Sequence, residues 1–148
     1  MERIYEAELS EDLTARLIVL SERWAKEDIT FGYRKNEAED IIGNRIFLME
    51  IDGEIAGYLF GKTEIRETDS AVVRKGESVF EVEELYVIPE YRSKGIGRRL
   101  FAFMEESVKK EADCIFLSMA NRDYKKLLHF YMDEIGMEFH SARLYKRV

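Results

Sequence analysis

Apolar and polar residues alternate along the chain with two different periods, and each period predicts one type of element. A helix ending near Asp28 is indicated by apolar residues three or four positions apart: Leu13, Leu17, Leu20 and Trp24. Ser10 stands at the N-cap position of this helix, and residues 3–8 before it form a short extended run. A second, shorter helix is predicted over residues 35–42 because Gly43 can end it.

The middle of the chain has the pattern of extended segments. Residues 45–51 and 54–62 are apolar runs joined by Asp52-Gly53, a dipeptide typical of two-residue hairpin turns. Residues 66–76 are charged and show no period, so we predict a loop there. Residues 78–87 form another strand-like run. This part of the chain therefore predicts an antiparallel hairpin, a loop and a further strand.

The last third of the chain returns to mixed elements. Helices are predicted over residues 95–112 and 124–135, and strands over 114–119 and 138–146. This mixture predicts an α/β (mixed α+β) fold with a central, mostly antiparallel sheet and helices on both faces. With 148 residues and 46% apolar content, the chain is long enough for one core and too short for two. We therefore predict that residues 1–148 form a single domain.

Composition argues against several classes of protein. The formal net charge of −7 disfavours a nucleic-acid binder, which needs a basic face, and is compatible with cationic partners. No run approaches the roughly 18 apolar residues that span a bilayer. The first residues also lack the basic start and apolar stretch of an export signal. We therefore expect a cytoplasmic protein with no membrane partner.

Cysteine and histidine usage argues against two kinds of site. The single Cys114 cannot form an internal disulfide. Its apolar surroundings predict a buried, inert thiol rather than the nucleophile of an acetyl-enzyme. His129 and His140 lack a third clustered ligand, so no metal is expected.

The segment between residues 87 and 100 carries the strongest chemical signal. An apolar strand ends there in a turn with Gly95 and Gly97, and a helix follows at once. The first amides of a helix have no partner within it and favour anions, and glycines let a backbone approach the anion closely. Four cationic side chains are clustered in this acidic chain: Arg92, Lys94, Arg98 and Arg99. We predict a phosphate-binding turn; the alternative is a plain strand-to-helix connection, which G-x-G pairs often form.

Two well-known phosphate-binding loops do not fit this segment. The chain has no Gly-Lys-Ser/Thr run of a Walker loop, and Leu100 stands where a dinucleotide fingerprint needs a third small residue. The remaining pattern is Arg92-x-x-Gly95-x-Gly97, preceded by the strand residues 85–87. It resembles motif A of the GNAT superfamily of N-acetyltransferases.

The resemblance extends over residues 77–139, where Phe130-Tyr131 and residues 136–139 are similar to the family's second signature. It implies the GNAT-type acyl-CoA N-acyltransferase fold, in which the parallel strands 78–87 and 114–119 splay apart. It also implies acetyl-CoA as a co-substrate that enters the gap, pairs with the first strand and meets the amides of the turn. The cofactor-binding residues so implied are Leu85, Tyr86, Val87, Arg92, Ser93, Lys94, Gly95, Ile96, Gly97 and Arg98.

Acetyl transfer to an amine requires a base, because an alkylammonium has a pKa near about 10 and must lose its proton. Alternation puts Glu81 and Glu83 on one face of their strand and Glu84 on the other, unless a bulge intervenes. By resemblance, Glu81 matches the base of histone-type enzymes and Glu83 that of polyamine-type enzymes, and we favour Glu83. The alternative is that these glutamates are solvated, or hold a cationic substrate without taking its proton.

Tyr131 is the candidate acid. It lies one turn after Leu127 and one turn before Ile135 on an apolar helix face, so core packing is the alternative. By resemblance, a tyrosine at this place protonates the departing thiolate, and a backbone amide near Val87 stabilises the carbonyl oxygen. Asn121 departs from the family's spacing, and its role stays open.

Together these features predict an acetyl-CoA-dependent N-acetyltransferase that acts by direct attack in a ternary complex. The acceptor would be a primary amine of a small molecule, a polyamine or a peptide. The alternatives are a non-catalytic acyl-CoA-binding module and a protein-interaction module. A homodimer is compatible with the sequence, because edge strands such as residues 138–146 can pair between copies. The acceptor and the acyl-chain preference stay open.

Overall fold

The computed structural model describes residues 1–148. The strands are β1 (Glu2–Ala7), β2 (Arg45–Ile51), β3 (Glu54–Ile65), β4 (Ser78–Val87) and β5 (Cys114–Leu117). The helices are α1 (Glu11–Glu27), α2 (Ala38–Ile41), α3 (Ile96–Val108) and α4 (Tyr124–Leu128). The backbone continues from α4 into a π-helical turn over His129–Glu134. A 3₁₀ turn, Pro89–Tyr91, follows β4 and precedes α3.

Local chemistry sets the ends of α1 and the turn of the hairpin. The Leu13 amide donates to Ser10 Oγ at 3.1 Å, which confirms the predicted N-cap. The helix ends where Asp28 adopts a left-handed conformation with φ of 53°. Asp52 and Gly53 both have positive φ, 51° and 82°, as a tight turn between right-twisted strands requires.

The five strands form one sheet in the order β1-β2-β3-β4-β5. Neighbours from β1 to β4 are antiparallel, and β5 runs parallel to β4. The parallel pairing covers only Val79–Val82 against Cys114–Leu117. The structure therefore confirms the mostly antiparallel mixed sheet and the early separation of its two parallel strands.

Helices cover both faces of the sheet, as predicted. On one face, Leu13, Leu17 and Leu20 of α1 pack with Ile41 of α2 on buried residues of the sheet, among them Tyr58, Phe60 and Tyr86. On the other face, buried residues of α3 pack on Phe47, Leu59, Phe80 and Val82. The sheet thus separates two apolar clusters, one below α1 and α2 and the other below α3.

The structure corrects the lengths of several predicted elements. The second helix is a single turn, Ala38–Ile41, in which Glu37 and Asp40 cap each other's backbone. The helix predicted over residues 95–112 ends at Val108, and the strand predicted to reach residue 119 ends at Leu117. That strand is half-buried rather than buried, since only one of its edges is paired.

The final strand predicted over residues 138–146 is wrong, because these residues form neither helix nor strand. A strand there would need a neighbour to pair with, and β5 offers only four residues. Apolar side chains of this segment are exposed, among them Phe139, Leu144 and Tyr145. The predicted homodimer relied on pairing of this strand between copies, so that reason no longer holds. The oligomeric state stays a prediction.

Candidate functional site

A β-bulge in β4 decides where its three neighbouring glutamates point. Phe60 on β3 pairs with Glu84, but Gly61 pairs with Val82, so Glu83 is the extra residue. Val82 packs in the cluster below α3, while the Glu84 carboxylate meets Tyr58 of the opposite cluster. Glu81 and Glu84 therefore share the α1 face, which corrects the simple alternation that placed Glu84 on the opposite face.

The end of β4 offers unpaired main-chain groups to a ligand. Residues 83–87 have no partner on the β5 side, since β5 pairs only as far as Val82. The Ile88 amide donates to Ala56 O at 2.9 Å. The main-chain groups of Ile88, and of every second residue before it back to the bulge, therefore point towards β3. The main-chain groups of the residues between point the other way, so those of Leu85 and the Val87 amide face the open gap, while Val87 O accepts a hydrogen bond from Arg92 Nε.

The turn after β4 exposes a row of backbone amides. The Arg92 amide donates to Pro89 O at 3.2 Å, and the Arg99 amide donates to Gly95 O at 3.0 Å. No acceptor pairs with the amides of residues 93–98, which lie between them. Positive φ at Ser93, 63°, and at Gly95, 78°, folds this backbone into a concave turn. Such a row of unpaired amides at a helix start has the geometry of an anion-binding nest.

The cationic side chains near this turn divide into two groups. Arg98 is exposed at the start of α3, and the Lys94 ammonium lies 5.7 Å from the centre of the Tyr91 ring. Arg99 instead donates to Glu2 at 2.8 Å. Arg92 donates from Nε to Val87 O at 2.9 Å, and its two terminal nitrogens bind the Glu27 carboxylate at 2.6 and 2.9 Å. Arg92 thus ties the turn to the end of α1.

This combination of a splayed strand pair and an amide-lined turn can be compared with known proteins. The family model described as acetyltransferase (GNAT) family matches residues 3–137. The chain belongs to the GNAT family of acetyltransferases. The match covers the N-terminal half as well, which the sequence motifs did not reach.

Individual relatives agree with this membership. An uncharacterised N-acetyltransferase from the pepI 3′ region of Lactobacillus delbrueckii subsp. lactis is 30% identical over 87 residues. That alignment covers 54% of this chain and 48% of the relative, so the chain spans about half the length of the curated relative it matches.

Solved structures share the GNAT fold at low sequence identity. Aminoglycoside acetyltransferase HMB0005, from an uncultured soil metagenomic sample, superposes with a TM-score of 0.72 at 14% identity and covers 100% of this chain and 99% of its own. AAC(6')-Iy, solved with the bisubstrate analogue CoA-S-monomethyl-acetylneamine, superposes with a TM-score of 0.67 at 15% identity, with coverages of 100% and 98%. At such identities the likeness shows the fold.

Within this GNAT fold, an acidic patch lies on the α1 face near the bulge. Burial raises the pKa of Glu81, and the neighbouring charge of Glu83 raises it further. Arg66 lowers it in part, while Glu64 adds to the rise. Glu83 is exposed. The surroundings of Glu81 therefore make its carboxylate more basic.

Tyr131 lies in the π-helical turn that follows α4. Its ring packs edge-on against Phe101 of α3 and against Phe130, with centroid distances of 6.5 and 5.0 Å. Burial raises the pKa of its hydroxyl to about 12. Phe130 also faces the turn, since a Cβ added to Gly97 would lie 3.4 Å from its Cζ. Sequence patterns did not indicate the π turn, a local irregularity often found at functional sites.

Sequence reasoning also missed a buried polar cluster around Glu84. Its Oε1 accepts hydrogen bonds from Tyr58 at 2.8 Å, from Asn36 Nδ2 at 3.1 Å and from Tyr33 at 3.1 Å. Burial raises the pKa of Glu84, although these three hydrogen bonds act against the rise. The signal available in the sequence was the third glutamate within four residues of an otherwise apolar strand, and it did not indicate partners.

The segment from residue 29 to residue 37, named here the 29–37 segment, closes the α1 side of the gap. Its Phe31 amide donates to Ala120 O at 2.8 Å, and the Arg122 amide donates to Ile29 O at 2.8 Å. The Arg122 guanidinium lies 4.4 Å from the centre of the Phe31 ring. Phe31 is exposed there, beside Tyr145 of the C-terminal residues.

Two further observations concern a metal site and a membrane-spanning helix. No group of three or more His, Cys, Asp or Glu side chains has the geometry to hold a metal ion. None of the helices combines the length and apolar character that a bilayer crossing demands.

A separate surface groove of about 540 Å³ lies between α1 and the end of β4, lined in part by Leu20, Ile55 and Tyr91.

Proposed function

We propose that this GNAT protein is an acetyl-CoA-dependent N-acetyltransferase that acetylates a cationic primary amine by direct attack in a ternary complex. The observation that carries the proposal is the row of unpaired amides from residue 93 to residue 98. It lies at the end of a strand with one open edge, so one extended ligand could use both features. A pyrophosphate on the amides and a pantetheine arm along Leu85 and Val87 fit this geometry.

The acidic patch supports an amine acceptor. A raised pKa makes Glu81 a stronger base than an ordinary carboxylate, and a base with a higher pKa removes a proton from an ammonium more readily. We therefore assign the base to Glu81 and give Glu83, which is exposed at the bulge, the role of attracting the cation. This assignment reverses the preference for Glu83 drawn from the sequence.

The proposed steps balance as follows. Glu81 takes a proton from the ammonium, directly or through a water, and the neutral nitrogen attacks the thioester carbonyl. The carbon–nitrogen bond forms, the carbon–sulfur bond breaks, and the thiolate leaves. Tyr131 gives its hydroxyl proton to the thiolate; burial raises the pKa of this phenol to about 12, so it holds the proton at neutral pH until the thiolate forms beside it. The nitrogen loses its second proton as the carbon–sulfur bond breaks, and this proton restores the Tyr131 phenol through solvent. Glu81 releases the first proton to solvent, so the products are the acetamide, CoA and one proton.

The first experiment titrates the purified protein with acetyl-CoA by calorimetry and then screens amines by detection of the released thiol. The panel is spermidine, 1,4-diaminobutane, neamine and a lysine-containing peptide. Saturable binding with turnover of at least one amine supports the proposal. Binding with no thiol release would indicate a CoA-binding module, and absence of binding would overturn the acetyltransferase function.

Two matched substitutions then identify the base. Glu81→Gln should lower kcat/KM roughly a hundredfold and remove the rise of kcat/KM with pH that deprotonation of Glu81 produces. Glu83→Gln removes a neighbouring carboxylate of the same type and should mainly raise KM for the amine. A loss confined to kcat in Glu83→Gln, with Glu81→Gln unaffected, would return the base to Glu83.

A further inference from the structure

The Glu84 cluster joins elements that are far apart in the chain. The carboxylate belongs to β4, Tyr58 belongs to β3, and Tyr33 and Asn36 belong to the 29–37 segment. Glu84 is the β4 residue next to the bulge, so the cluster lies beside the proposed base Glu81 on the same face of the sheet. No basic side chain contributes to it, and three neutral donors hold the carboxylate.

The structure assigns to Glu84 the role of a positioning residue that holds the 29–37 segment, and with it one wall of the amine site, against β4. Two of the three donors to Glu84 come from this segment, and Tyr33 reaches both carboxylate oxygens at 3.1 and 3.2 Å. The inference rests on the proposed function, since it concerns the amine side of that site.

The other contacts of the segment make Glu84 the link to the strand itself. The Asn36 amide donates to Ser21 Oγ at 2.9 Å, and the Trp24 indole donates to Thr30 Oγ1 at 3.0 Å. The Tyr33 ring stacks on Trp24 at a centroid distance of 4.1 Å. These contacts attach the segment to α1. Only the hydrogen bonds to Glu84 attach Tyr33 and Asn36 to the strand that carries the proposed base.

Hydrogen bonds to a buried carboxylate are strong and directional, so they fix where the segment lies. Phe31 is exposed two residues before Tyr33 and lies beside Arg122, which follows β5. A shift of Tyr33 away from β4 would move Phe31 relative to Glu81. The amine site would loosen while the unpaired amides of residues 93–98, in the turn that leads into α3, would stay in place.

Two tyrosine-to-phenylalanine variants separate this role from general stability. Tyr33→Phe and Tyr58→Phe each remove one hydroxyl from Glu84, but only Tyr33 belongs to the 29–37 segment. We expect hydrogen exchange at the amides of Phe31 and Asn36 to accelerate about tenfold in Tyr33→Phe and less than twofold in Tyr58→Phe. With the best amine of the panel, Tyr33→Phe should raise KM at least about fivefold and leave kcat within twofold.

Acetyl-CoA affinity should change less than about twofold in both variants, which distinguishes a displaced amine site from a damaged cofactor site. Glu84→Gln keeps an oxygen acceptor without the charge and should give a KM between those of the native protein and Tyr33→Phe. Equal effects of Tyr33→Phe and Tyr58→Phe on exchange and KM would overturn the inference. If the native protein acetylates no amine, the proposed function fails, and the exchange comparison still decides whether Glu84 holds the segment.

Discussion

The two sides of the proposed site are built from different parts of the chain. The cofactor side uses the backbone: an open strand edge at Leu85 and Val87, then the unpaired amides of residues 93–98. The amine side uses side chains that distant segments bring together, such as Glu84 with the 29–37 segment. A backbone site tolerates changes in many side chains, whereas a side-chain site changes with single residues. The cofactor side is therefore suited to a shared co-substrate, and the amine side to an acceptor that differs between proteins.

The largest effect should come from a change at the bulge of β4, because this strand carries residues of both sides. Gly61 faces the bulge, and a Cβ added there would lie 2.2 Å from Glu81 O and 2.8 Å from a Phe80 ring carbon. Since one of these atoms belongs to the backbone, Gly61→Ala should lower the free energy of unfolding by about 3 kcal/mol. Urea unfolding, monitored by circular dichroism, measures this loss of stability.

Gly97→Ala is the control for that experiment, because its added Cβ would meet its nearest neighbour, Phe130, at an ordinary 3.4 Å. It should change the free energy of unfolding by less than about 1 kcal/mol. Equal losses in the two variants would mean that the close approach at the bulge does not constrain the fold.

The second prediction tests the cofactor side alone. Gly95 and Gly76 both have positive φ, 78° and 92°, and an added Cβ would meet no atom within 4 Å at either position. Alanine at each should cost about 1 kcal/mol of stability from backbone strain. Only Gly95→Ala places its methyl group at the proposed phosphate turn, so only it should weaken acetyl-CoA binding, by roughly tenfold. Calorimetric titration that found equal affinities would place the phosphates elsewhere.

The third prediction concerns the contact that joins the two sides. Glu27, at the end of α1, accepts from Arg92 of the cofactor turn at 2.6 and 2.9 Å and from Tyr86 of β4 at 2.5 Å. Its side chain is 19% exposed, so Glu27→Gln should lower stability by about 1.5 kcal/mol.

The matched ion pair for this third experiment is Arg23–Glu90, whose side chains are 42% and 62% exposed. Because solvent screens such a pair, Glu90→Gln should leave the free energy of unfolding nearly unchanged. Thermal unfolding of both variants measures the two losses of stability. A loss in Glu27→Gln as small as that in Glu90→Gln would show that the hydrogen bonds of Glu27 do not stabilise the fold.

The same contrast explains which features the sequence could predict. The turn with Gly95 and Gly97 is local, so its strand, glycines and helix start appear in order within a short stretch. Glu84 and Tyr33 are 51 residues apart, and no local pattern indicates that they touch. The bulge at Glu83 arises from the register between β3 and β4, which also lies beyond a local pattern. The wrong prediction of a final strand over residues 138–146 has the same cause, because a strand needs a neighbour to pair with and its own residues do not indicate whether one exists.

The smallest expected effect concerns the charge of Glu84. Burial raises the pKa of this carboxyl in the folded protein above its unfolded value, which is near about 4.3. The folded state therefore binds the proton more tightly, and stability falls as pH rises from the unfolded pKa through the folded pKa. Glu84→Gln cannot ionise, so its stability relative to the native protein should increase over this pH interval and stay constant above it. Urea unfolding at a series of pH values from 4 to 8 measures the difference between the two proteins. A difference that is independent of pH would mean that the three hydrogen bonds to Glu84 fully offset its burial, and that the amine side holds this charge at no cost in stability.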